Sequence, residues 1–135
     1  MTRGYKNNNP LNMRNNRDWW QGEVVPSRDP AFKQFETMAW GYRAAFKLLH
    51  NYRKHHGCQL LSDFISRWAP PVENNTTAYI RTVAKRAGLE DVSVVDTLNE
   101  GQMQRIVAAM SFVENGVEPD LDDIRAGWNL FMRNR

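Results

Sequence analysis

A single cysteine, Cys58, stands in a chain of 135 residues, so no disulfide can form within it and packing must hold the fold. No apolar run approaches the length of a membrane span, which leaves no segment for a transmembrane helix. Repeats are lacking, and the Asn-rich start is the only biased stretch. Charge of one sign is scarce too: 18 basic against 15 acidic residues give a net charge of +3. That slight basic lean suits an anionic polymer, cell wall or nucleic acid, and requires neither. The opening Met1-Thr-Arg-Gly-Tyr-Lys lacks the hydrophobic core of a secretory signal, so the expectation is synthesis in the cytoplasm with separate delivery for any role outside it. His50, His55, His56 and Cys58 crowd one helix end without a His-Glu-x-x-His pattern or paired cysteines. Their place near a helix C-terminus is explained by the dipole, and no metal or cofactor is expected.

What is present is an ordinary globular composition, 41% apolar and 24% charged, of a length that makes one domain spanning 1–135. Two regions differ in grammar. Residues 1–36 are rich in Asn, Pro, Gly and Trp, with turns at Asn9-Pro10, Gln21-Gly22 and Asp29-Pro30. Short strands near Leu11–Arg14, Gly22–Val25 and Phe32–Glu36 are expected there. From Thr37 onward helical periodicity takes over. Five helices are expected: Met38–His55 before Gly57, Gln59–Trp68 before Pro70-Pro71, one opened by Asn74 or Asn75 and stopped at Gly88, one opened by Asn99, and one after Pro119-Asp120. The fold class is α+β, mainly α, with a small N-terminal sheet.

The most informative residue is Glu114. Met103, Val107, Met110 and Glu114 follow steps of three and four along one apolar stripe, and Asn115-Gly116 then stops the helix. A carboxyl in the last turn of a helix, on its buried side, faces both the negative dipole end and desolvation. Both favour the neutral acid, which is what a general acid for glycosidic cleavage requires. The competing assignment is a structural glutamate paired with an arginine from a neighbouring helix.

A second motif is Asn7-Asn8-Asn9-Pro10-Leu11-Asn12, followed by Trp19-Trp20-Gln21-Gly22. Amide side chains can read hydroxyl and acetamido groups while indole faces stack on sugar rings, so Asn8, Asn9, Asn12 and Trp20 describe a carbohydrate groove. They equally describe a turn-rich loop with Trp20 filling the core beneath it. A hydrolase would need a second carboxylate about 5 to 9.5 Å from the first, for which Glu73, Asp29 and Glu36 are the candidates. Glu73 could instead cap the helix that follows it. Arg81, Lys85 and Arg86 share helical spacing and could meet phosphates, although such clusters are commonly solvated faces. No nucleic-acid partner is expected.

The run Arg3-Gly-Tyr-Lys-Asn-Asn-Asn-Pro-Leu-Asn-Met-Arg14, with Trp20-Gln-Gly, Phe32-Lys-Gln-Phe35, Gly41-Tyr-Arg-Ala-Ala, Trp68-Ala-Pro-Pro-Val-Glu73-Asn-Asn-Thr-Thr-Ala-Tyr79 and Phe112-Val-Glu-Asn-Gly116, resembles a family of small phage and prophage virion proteins. These look related to the lysozyme-like superfamily of lytic transglycosylases and glucosaminidases. Glu114-Asn115-Gly116 is similar to that superfamily's Glu-Ser-Gly helix end, with Asn replacing Ser. Asn8-Asn9-Pro10-Leu11-Asn12 resembles its Asn- or Gly-rich sheet segment, with Leu11 where Gly is usual. Glu73 to Tyr79 is similar to its Glu-Thr helix with a spaced Tyr. The resemblance implies a lysozyme-like fold, circularly permuted because the glutamate helix comes near the C-terminus. It also implies glycan-strand cleavage in peptidoglycan, with Glu114 and Glu73 catalytic and Asn8, Asn9, Asn12, Trp20 and Tyr79 binding substrate. The alternative it implies is a non-catalytic virion or carbohydrate-binding component that acts beside other virion proteins.

Overall fold

A computed structural model describes residues 1–135. The elements in order are α1 (Arg3–Lys6), β1 (Glu23–Val24), β2 (Gln34–Phe35), α2 (Met38–His56), α3 (Leu61–Trp68), α4 (Thr76–Ala87), α5 (Glu100–Asn115) and α6 (Leu121–Arg133). The five long helices coincide with the periodic segments, and their starts are chemically marked. Thr37, Asn75, Asn99 and Asp120 each turn a side-chain oxygen onto a first-turn amide. Asn75, rather than Asn74 or Glu73, opens α4. The helix expected from Gln59 begins at Leu61, because the Asp63 carboxylate accepts from the Gln59 and Leu60 amides and holds both ahead of the first turn.

The N-terminal region departs from expectation in its first element and in the extent of its strands. Its first element is a single helical turn, capped by Thr2 at the Tyr5 amide. One turn has no periodicity to read, and its stability comes from docking. The three expected strand segments do associate, over fewer residues. β1 and β2 pair antiparallel, with Glu23 opposite Phe35 and Val24 opposite Gln34, and Arg14 meets Phe32 in one isolated bridge.

Packing joins the two regions. One contiguous apolar cluster runs through α2 to α6 and takes in Leu11, Met13 and Phe35, so the N-terminal segment shares the helical core. α2 packs most extensively on α6, and α5 on α4. Beneath the sheet, Lys33 is wholly buried, and its ammonium donates to both Glu23 carboxylate oxygens (3.1 and 3.3 Å) and to the Asp18 carbonyl (2.7 Å). All three of its protons therefore have acceptors, the condition under which a buried charge is tolerated.

At the α2–α6 crossing, a Cβ on Gly127 would lie 2.5 Å from the Tyr42 Cβ and 2.9 Å from the Ala39 carbonyl. Gly127→Ala is therefore expected to destabilise by about 1–3 kcal/mol through overpacking. A Cβ on Gly101 in α5 meets the flexible end of Arg105 at 3.2 Å and the Asn99 side-chain oxygen at an ordinary 3.7 Å, so Gly101→Ala should be neutral or gain up to about 1 kcal/mol. Urea denaturation of the two variants measures both.

Candidate functional site: a carboxylate-centred groove

Met103, Val107 and Met110 are fully buried along α5, and Glu114, the next step of that stripe, emerges half-buried at its end. Its carboxylate receives three neutral donors. The Tyr79 hydroxyl of α4 (3.0 Å) and the Trp68 indole N–H at the end of α3 (3.2 Å) both donate to Oε2. The Asn12 amide donates to Oε1 (3.3 Å) and also to the Glu114 main-chain carbonyl (3.3 Å). No guanidinium sits on Glu114, since the four ion pairs of the molecule all lie elsewhere. The arginine-paired structural glutamate is thereby replaced by a carboxyl held by uncharged groups. Burial, and next the Glu114 charge, push the Tyr79 hydroxyl far up, so it stays a donor at every working pH.

Glu114 borders a groove of about 520 Å³. One wall is the N-terminal segment, with Asn12, Arg14, Asp18, Trp20 and Phe32. The other is Tyr52 of α2, the end of α3 at Arg67 and Trp68, and the turn carrying Glu73 and Asn74. Aromatic faces and cations alternate along it: the Arg67 guanidinium lies 5.3 Å from the Tyr52 ring centre, and Arg14 lies 5.3 Å from that of Phe32. Burial pushes the Tyr52 hydroxyl up to about 12, so it too remains protonated. On its Tyr79 side, Glu114 also borders a smaller cavity of about 350 Å³ with Thr82 and Val113.

The residues singled out from sequence divide cleanly. Asn12, Trp20, Glu73 and Glu114 line the groove, and Tyr79 reaches it through its bond to Glu114. Asn9 does not line it: it is fully buried, its amide donating to the Met13 and Lys33 carbonyls and its oxygen accepting from the Met13 amide. Asn8 likewise turns away, donating to the Phe35 and Glu36 carbonyls. Both Asn8 (φ 52°) and Asn12 (φ 55°) adopt the left-handed backbone that asparagine tolerates, so the loop is a scaffold that presents Asn12 alone. Among the second-carboxylate candidates, Glu36 is exposed away from the groove. Asp29 is committed elsewhere, with its oxygens accepting from Arg3 (2.6 and 2.7 Å), Asn7 and the Ala31 and Phe32 amides. Glu73 does not cap α4. Asp18 is a carboxylate on the groove that sequence reasoning did not weigh, and Trp68 was read only as part of a core stripe.

Fold and site together define a small, mainly helical α+β protein with a carboxylate at the edge of an open groove. No family profile matches the chain. It is 36% identical to Protein P5 of Pseudoalteromonas phage PM2 over 135 aligned positions, covering 96% of this chain and 82% of that relative. The chain belongs to the family of phage proteins that contains this Protein P5.

The Asp29 carboxylate anchors the N-terminal wall, and the Arg3 guanidinium beside it, followed by the Ala31 amide, holds it well below its ordinary value of 3.8. A carboxylate depressed in the folded state stabilises above its unfolded value, and that contribution declines as pH falls from there through the depressed folded value. Asp29→Asn should therefore be less stable than the parent at pH 7, with the gap narrowing progressively as pH drops below about 4. Urea titrations at pH 7 and pH 3 read the two gaps.

Proposed function

We propose that this protein cleaves the glycan strand of peptidoglycan as a lysozyme-like, circularly permuted enzyme, with Glu114 as its single general acid and base. The observation that carries this reading is a carboxyl with no cationic partner, held by Asn12, Trp68 and Tyr79 at the edge of a groove of about 520 Å³ lined by aromatic and amide groups. Membership of a phage protein family adds context, since a phage must pass a cell wall on entry and on lysis.

The hydrogen bonds support one place for the transferred proton. Oε2 already accepts two donors, so in the acid form the proton resides on Oε1, beside Asn12 on the groove wall. From there it passes to the glycosidic oxygen as the bond to the anomeric carbon breaks. The carboxylate left behind then accepts the proton of the muramyl hydroxyl that closes on that carbon, giving an anhydro product. A hydrolytic outcome needs water at the same carbon and a second carboxylate, a role open to Glu73, which lines the same groove.

One observation favours a second reading. The three donors on Glu114 also stitch the N-terminal loop to α3, α4 and α5, which is what a purely structural glutamate would do in a non-catalytic virion or carbohydrate-binding protein.

The variants separate the two. Purified protein should clear peptidoglycan in a zymogram, and Glu114→Gln should lower turnover by about 10²-fold or more while the fold survives. Tyr79→Phe removes one charge-assisted hydrogen bond, about 1.5 kcal/mol, and should cost about tenfold. Clearing by Glu114→Gln at the parental rate removes this residue from the chemistry. Mass spectrometry of the products distinguishes anhydro ends from reducing ends.

A further inference from the structure

Behind the groove lies a second cavity, of about 540 Å³, and the two share Asp18 and Trp20 as a common wall. Its opposite side is cationic: Arg43 and Lys47 come from one face of α2, and Arg135 from the segment after α6. Asp18 is the only acidic side chain that lines it, and no ion pair forms there. Arg43 is the unusual member. It is 95% buried by residue surface, its Nε has no hydrogen-bond partner, and one terminal nitrogen donates to the Asn134 carbonyl. A guanidinium has five donors in a fixed fork, and taking it out of water without a carboxylate or phosphate to meet it is costly. Setting Lys47 one helical turn from Arg43 adds like-charge repulsion. A fold that only needed to fasten the Asn134 carbonyl would not need a buried cation with a second one beside it.

We infer that this cavity is an oxyanion subsite that receives a carboxylate of the peptide stem while the glycan strand occupies the adjoining groove. The inference rests on the proposed glycan reading and deepens it by naming what else in the polymer is bound. The geometry supplies the connection, because a strand lying against Trp20 presents its substituents to either side of that wall. A carboxylate is matched by a planar guanidinium fork with an ammonium at its flank. Burial lowers the affinity of Arg43 for its proton, and burial followed by the Arg43 charge does the same at Lys47; the charge of an entering anion offsets both.

The test is calorimetric titration of the Glu114→Gln protein, in which turnover should be slowed, with three probes at 50 mM salt. They are a disaccharide carrying a tetrapeptide, the same compound with its carboxyls amidated, and the peptide-free disaccharide. The first should bind about tenfold tighter than the other two, and the advantage should shrink on raising salt. Lys47→Met, at the half-buried rim, should remove most of that advantage and leave disaccharide affinity unchanged. Arg43→Met should do the same if its thermal melt shows it folded, and Lys47→Met alone decides the matter if it is not. Equal affinity for all three probes, or an advantage that survives Lys47→Met, overturns the subsite and leaves the glycan reading standing. Binding of no saccharide at all overturns both.

Discussion

The site depends on the end of α5 being clamped to the N-terminal loop. Asn115 does most of this. Its amide donates to the Pro10 carbonyl (2.8 Å) and back to Ser111 (3.0 Å), and its oxygen accepts from the Thr2 hydroxyl (2.9 Å). Residues more than a hundred positions apart are thus fixed by one buried side chain, beside which Asn12 reaches Glu114. The close fit is enforced by Gly4, where a Cβ would fall 2.5 Å from the Asn115 oxygen and 2.8 Å from that of Asn12. Without that clamp, Glu114 would end a helix facing solvent, with one wall of the groove missing.

The groove is thereby a product of long-range contacts laid over short-range signals. α3, α4 and α5 each bring one group to the same point: an indole, a phenol and a carboxyl. These three helices are placed by burial of apolar stripes, a non-directional force. The hydrogen bonds at Glu114 then select one arrangement among the packings that burial alone would allow. That division of labour leaves the site rigid on the helical side, while the opposite wall rides on loops pinned by Asp29, Lys33 and Asn9.

How much could be read in the sequence follows from this. The long helices were legible because Thr37, Asn75, Asn99 and Asp120 announce their starts and left-handed glycines at 57, 88 and 116 their ends. Glu114 was legible for the same local reason, as the one charge continuing an apolar stripe. The roles of the asparagines were not, because residue type does not tell whether an amide faces a groove or satisfies its own loop. Asn9 and Asn12 are three positions apart and do opposite things. Nor could spacing reveal that Trp68, 46 positions away, would turn its N–H onto Glu114, or that Asp18 would line the groove. Such facts belong to the fold, and one-turn α1 shows the same limit for secondary structure.

The bond between Trp68 and Glu114 carries a consequence of its own. An indole whose N–H rests on a carboxylate has its excited state perturbed by that negative charge, and the perturbation vanishes when the carboxylate is displaced. The chain has five tryptophans, yet this indole N–H alone donates to a carboxylate. The molecule therefore contains its own optical gauge of whether that clasp is closed, readable in emission with no label attached.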